Sequence, residues 1–146
     1  MPEPYHLDTD AIAQATQALA ILREHAASLR FGSIITADGF EVANTLSHAG
    51  AGIANNRMAA MVSSMQALSD AITRDLAMGD SDYSIVAAPK GYVIQMRVPD
   101  HPLVLAASFD AQETVDKALS ISRMAARRMG EMLLRAGDET QGMQDA

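Results

Sequence analysis

Four histidines, a Gly-Ala-Gly loop and five arginines on two predicted helices are the residues of this chain best placed to do chemistry. His6, His25, His48 and His101 lie far apart in sequence and show no metal-ligand spacing, so each reads as an exposed polar residue. Gly50-Ala51-Gly52 precedes a helix, as phosphate loops do, but lacks the Lys-Ser/Thr that completes a P-loop. It reads as a connector, and the chain is not expected to bind a nucleotide itself. Serines and aspartates are plentiful, yet nothing marks a nucleophile elbow. The expectation is no catalytic residue, no cofactor and no metal. Arg57 and Arg74 fall on a central helix and could reach a docked partner. An arginine supplied in trans is worth ~10³–10⁵ in phosphoryl transfer; the plainer reading is a solvated side chain. Arg123, Arg127 and Arg128 gather on the last helix, either as a solvated face or as a docking site for an acidic partner.

Composition narrows the classes. Net charge is -7, from 11 Lys and Arg against 18 Asp and Glu, which argues against nucleic acid and against a polybasic membrane anchor. The 146 residues suffice for one domain. With no Trp, three Phe and three Tyr, the core must come from Ala, Leu, Ile, Val and the ten Met. No cysteine is present, so disulfides and thiolate metal sites are excluded. Met1-Pro2-Glu3-Pro4 does not open a signal peptide, and no apolar run is long enough to span a membrane. A cytoplasmic chain is the simplest expectation.

Residues 1–8 are expected to be flexible, 9–136 to form the domain, and 137–146 to be a disordered tail. Asp8 or Thr9 can cap a first helix over residues 9–30, on which Ile12, Ala15, Leu19, Leu22, Ala26 and Leu29 repeat at steps of three and four. Gly32 breaks that pattern. Ser33 to Thr36 and Phe40 to Thr45 read as strands joined through Ala37-Asp38-Gly39, a hairpin signal. Asn55 or Asn56 can cap a second helix running to Met78, with Gly79 as its stop. Tyr83 to Ala88, Tyr92 to Val98 and Leu103 to Phe109 read as three strands, turned by Pro89-Lys90-Gly91 and Pro99-Asp100-His101-Pro102. Asp110 and Glu113 resemble a capping box for a last helix reaching Arg135. The order α-β-β-α-β-β-β-α implies an α+β fold, a five-stranded antiparallel sheet flanked by helices.

The second helix separates two faces at ~100° per residue. Met58, Met61, Val62, Met65, Leu68, Ile72 and Leu76 share one arc, expected to cover the sheet. Ala60, Ser63, Ser64, Ala67, Ala71 and Arg74 share the other. An ordinary surface helix carries charge there. Small side chains instead allow a second backbone to approach, although they are also tolerated in water.

This order of elements resembles the Roadblock/dynein light chain family. The hairpin Ser33-Ile34-Ile35-Thr36-Ala37-Asp38-Gly39-Phe40-Glu41-Val42-Ala43, the long Ala/Met/Leu helix, the Tyr92-Val93-Ile94 strand after Lys90-Gly91 and the Ala/Arg-rich closing helix carry the likeness, over residues 12 to 134. The resemblance implies a homodimer that pairs second helices and continues the sheet through the third strand. Ala60, Ser64, Ala67 and Ala71 would then lie at or beside the helix seam, and Tyr83, Ile85 and Ala87 in the strand that pairs across the dimer. It further implies a non-enzymatic regulator of a small Ras-like GTPase, which some bacterial members activate. Two other readings stand beside it: a scaffold subunit without a GTPase, and a small-molecule sensor, for which the sequence offers no convergent set of polar groups.

Overall fold

A computed structural model describes residues 4–45 and 52–145. His48 and the Gly50-Ala51 part of the connector lie outside the described residues. The elements are α1 (Thr9–His25), β1 (Leu29–Thr36), β2 (Glu41–Asn44), α2 (Gly52–Asp75), β3 (Tyr83–Ala88), β4 (Gly91–Arg97), β5 (Leu103–Asp110) and α3 (Val115–Asp145). The five strands form one antiparallel sheet in the order β2-β1-β5-β4-β3. The expected order and sheet are therefore found. β3 is an edge strand, with β4 its one partner among the described residues.

The Asp8 side chain caps α1 by accepting from the amides of Asp10 and Ala11. The helix stops at His25, five residues before the expected end, because Leu29 already pairs with β5 opposite Phe109. Gly32 therefore breaks no helix. It sits inside β1, where an added Cβ would lie 3.1 Å from Leu22 Cδ1 and 3.2 Å from Thr45 Cγ2. Its missing side chain lets α1 press close to the sheet.

Two layers of unequal kind cover the sheet. On one face α1 and α3 enclose the main core, with Leu19, Leu22, Ile34, Ile94, Met96, Leu105, Phe109 and Met129 buried. Each such side chain contributes roughly 1.5–3 kcal/mol of hydrophobic stabilisation. On the other face α2 closes a much smaller cluster of Ile35, Ala59, Val62, Val104 and Ala106, flanked by Met58.

Several termini differ from the sequence expectation. Residues 4–8, placed in a flexible terminus, form a turn in which Leu7 and Asp8 donate to the Pro4 carbonyl. Tyr5 Oη lies 3.1 Å from His101 Nδ1, and the His6 ring stacks on Phe40 at 4.3 Å. These two contacts, unreadable from a local pattern, hold the turn to the end of the sheet. α2 begins at Gly52, so Asn55 and Asn56 lie within it rather than capping it. Thr114, not Asp110, caps α3: its hydroxyl accepts from the Lys117 amide and its carbonyl from the Ala118 amide. The Glu113 carboxylate accepts instead from the Ser28 hydroxyl and pairs with Lys117. α3 also continues past Arg135 to Asp145, through the residues assigned to a disordered tail. Gly137 and Gly142 do not stop it, each costing only about 1 kcal/mol against Ala in a helix interior.

The end of α2 supplies a stability test. Met78 donates to the Thr73 carbonyl and Ala77 to the Arg74 carbonyl, the two bonds of a Schellman motif. The left-handed position is therefore Ala77, at φ 56°, two residues before the glycine the sequence nominated. A Cβ is disfavoured there by ~1–2 kcal/mol. Ala77→Gly should raise stability by about 0.5–1 kcal/mol, the gain being reduced by glycine's greater unfolded-state entropy. Urea unfolding checks this; a lower midpoint in the variant would refute the assignment.

Candidate interaction surface

α2 rests on the sheet along a narrow seam of Ala59, Val62, Gln66 and Asp70, at helical steps of three and four. Much of that seam is polar, and so is the sheet beneath. Gln95 Nε2 donates to the Val62 carbonyl at 3.0 Å and to Gln66 Oε1 at 3.2 Å. Gln66 Nε2 in turn donates to Asp70 Oδ1 at 3.2 Å. Asp70 also accepts from the Ser81 amide at 2.8 Å and forms an ion pair with Arg97. Burial pushes the Asp70 carboxyl up, but the Arg97 hydrogen bond, the Ser81 amide, the Arg97 charge and Gln66 together outweigh it. The carboxyl is held below its ordinary value.

This seam overturns one expectation. The large apolar arc of α2 does not cover the sheet: Val62 is buried and Met58 partly buried, but Met61 is 54% exposed, Leu68 59%, Ile72 55% and Leu76 65%. Met65 is exposed as well. The physical reason is the polar sheet face. Gln95 and Arg97 demand hydrogen-bonding partners, and Gln66 and Asp70 supply them. The helix is rotated accordingly, leaving its greasy stripe outside. Periodicity could not reveal this, because it counts the apolar residues and not the polar ones that the sheet selects.

The seam separates two exposed faces. Ala60, Ser64, Ala67, Ala71 and Arg74 are exposed on one side, with Ser63 half-buried. This side leans toward the β1–β2 turn, since a Cβ added at Gly39 would lie 3.2 Å from Ser63 Oγ and 3.8 Å from Ala60 Cα. Ser63 donates to the Ala60 carbonyl, and Arg74 is paired with Asp80. The Met61–Met65–Leu68–Ile72–Leu76 stripe lies on the other side of the seam. At the sheet edge the third predicted strand is exposed along most of its length: Tyr83, Ile85 and Ala87 on one face, and Val86, which the sequence did not nominate, on the other. Alternation places Val86 on the α2 face, because its neighbour Ser84 pairs with Gln95, whose side chain reaches α2. Val86 therefore shares the α2 face of the sheet, whereas Tyr83, Ile85 and Ala87 lie on the α1/α3 face, opposite Met96, Ile94 and Tyr92.

Among the described residues no cluster of His, Asp or Glu could hold a metal, and no helix is long and apolar enough to cross a membrane. His6 and His101 serve the N-terminal contact instead.

An antiparallel five-stranded sheet with α2 alone on one face and α1 and α3 on the other defines a Roadblock/LC7 fold. Solved structures share it at low sequence identity. Myxococcus xanthus MglB is 10% identical, with a TM-score of 0.73 over 85% of this chain and 90% of that one. The gliding protein MglB of Thermus thermophilus is 17% identical, with a TM-score of 0.70 over 86% and 91%. A Roadblock/LC7 domain from Streptomyces avermitilis is 13% identical, with a TM-score of 0.72 over 82% and 97%. No family sequence model and no curated protein sequence matches the chain.

Proposed function

We propose that this chain is a non-enzymatic homodimer that binds and regulates a small Ras-like GTPase. The observation that carries the reading is the exposed Met61–Met65–Leu68–Ile72–Leu76 stripe of α2, together with the open edge of β3. Scattered apolar residues on a surface need no explanation, but a contiguous stripe marks an interaction site. A bare strand edge is likewise a liability unless it is paired. A two-fold axis beside α2 and β3 satisfies both, burying the stripe against its own copy and extending the sheet through β3.

In that dimer the large apolar stripe, rather than the alanines, forms the seam. Ala60, Ser64, Ala67, Ala71 and Arg74 then flank the paired helices as a shallow surface, low enough for a partner's backbone to approach. The partner class follows from the resemblance to Roadblock proteins and from the MglB-like fold. A regulator of this kind acts by binding one nucleotide state more tightly than the other, and its effect cannot exceed that difference in affinity.

The test uses a Ras-like GTPase from the same genome, loaded with GDP or with a non-hydrolysable GTP analogue. The wild-type chain should bind the two forms with different affinities. Ala71→Arg, at an exposed position outside the seam, should weaken binding at least tenfold while leaving the dimer mass unchanged. Equal binding by variant and wild type would remove the small-residue face from the partner site. Binding to neither form would favour the scaffold reading.

A further inference from the structure

We infer that the groove between α1 and α3 is a second docking site, one that takes an acidic amphipathic helix from another protein. It lies on the sheet face opposite α2, and only its Arg123 side touches the β3 edge, through Asp82 and Tyr83.

The groove has a volume of about 740 Å³. Its floor is apolar, formed by Ile21 from α1 with Leu119 and Met124 from α3, and Met124 is exposed. Its rim holds the three arginines the sequence set apart. Arg127 has no ion-pair partner among the described residues. Among the described residues Arg128 pairs with Glu131, 3.9 Å away and exposed. Arg123 is held at the side by Asp82, 3.3 Å away, and lies over the Tyr83 ring. Three cations gather in a short stretch of α3 between Asp116 and Glu131, in a protein of net charge -7, with Arg127 unpaired among the described residues, so a carboxylate seated between them has a local cationic partner. A purely solvated helix face would not also present an apolar trough between the charges.

The occupant's chemistry follows from the rest of the rim. Asp116 and Glu131 close its two ends, fifteen residues apart on one helix or ~22 Å. Negative ends repel a continuous polyanion such as a nucleic acid. They accommodate a segment of three or four turns, with carboxylates near its middle and apolar residues one turn away. An amphipathic helix presents that pattern at steps of three and four.

The probe is a synthetic fifteen-residue helix bearing a Leu stripe and two central Glu at i and i+4. Its control carries Gln at both positions. Titration into the full-length protein, followed by calorimetry and amide chemical shifts, should show the Glu peptide binding at least tenfold more tightly than the control. Shifts should cluster on α3 around residues 119–128 and at Ile21. Arg127→Glu should reduce the affinity about tenfold or more, with an unchanged circular dichroism spectrum excluding misfolding. Raising salt to 0.5 M should weaken binding as well. Equal binding of the two peptides, shifts confined to α2 and β3, or no binding at all would each overturn the proposal. So would tighter binding of a fifteen-nucleotide thymidine strand than of the Glu peptide. None of these outcomes bears on the GTPase titration.

Discussion

Leu68→Arg should convert a dimer of about 31 kDa, twice the 15.5 kDa chain, into a monomer when the mass is measured by light scattering. Leu68 is among the most exposed large residues of the α2 stripe, so in the isolated protomer its side chain supports little of the fold. The fold of the variant should therefore be intact, with an unchanged far-ultraviolet spectrum and unfolding midpoint after allowance for the dimer's own stabilisation. Across a two-fold axis each change counts twice. Burying one Leu is worth roughly 1.5–3 kcal/mol, so two copies supply about 3–6 kcal/mol and the dissociation constant should rise on the order of 10²–10⁴-fold. An unpaired guanidinium facing an apolar seam adds to that loss. Ala67→Arg is the informative companion. Ala67 lies across the seam from the stripe, beside Ala37 and Pro102. If Ala67→Arg splits the dimer and Leu68→Arg does not, the copies meet through the small residues and the assignment of the two faces is reversed.

That contrast marks where the sequence stops being readable. Strand and helix order follow from local signals. Alternation and turn residues set β3, β4 and β5, and the Asp38-Gly39 turn sets the first hairpin. The rotation of α2 about its own axis is not a local property. Its two arcs are both visible in the sequence, but which arc faces inward depends on Gln95 and Arg97, some thirty residues downstream, and on whether they point at the helix. A period of 3.6 records that a stripe exists and is silent about what covers it. The same limit explains the N-terminal turn, held by partners 34 and 96 residues away. It also explains α1, whose apolar steps run smoothly into the first residues of β1, so that only pairing with β5 reveals the boundary. The arginines of α3 were visible as a cluster. That Ile21 and Leu119 lie between them and α1 was not, since α1 and α3 are separated by the entire sheet in sequence.

The polar seam makes a second strong prediction. Asp70→Ala should destabilise the protein by about 3 kcal/mol, because removing one partner of a largely buried pair leaves the other poorly compensated. Arg97 already has a buried Nε without a partner, so little else is available to it. The Ser81 amide and Gln66 would lose an acceptor in the same step. Asp70→Asn should cost less, since the amide oxygen can still accept from Ser81. The pH dependence follows from the depressed carboxyl. Unfolded, Asp70 titrates near 3.9; folded, it titrates lower. Its stabilisation is thus complete above about pH 4 and is lost as pH falls through the folded value. Urea midpoints between pH 7 and pH 2 should fall less steeply in Asp70→Asn than in wild type. Parallel curves would show that the pair does not anchor α2. The consequence reaches the dimer, because the apolar layer beneath α2 is thin and this network fixes the helix's rotation. Asp70→Ala should loosen that rotation and weaken the dimer even though Asp70 itself lies outside the proposed seam. A variant that loses folding stability but keeps the wild-type dissociation constant would show that the stripe is presented by the five apolar side chains of α2 alone, without help from the polar contacts below.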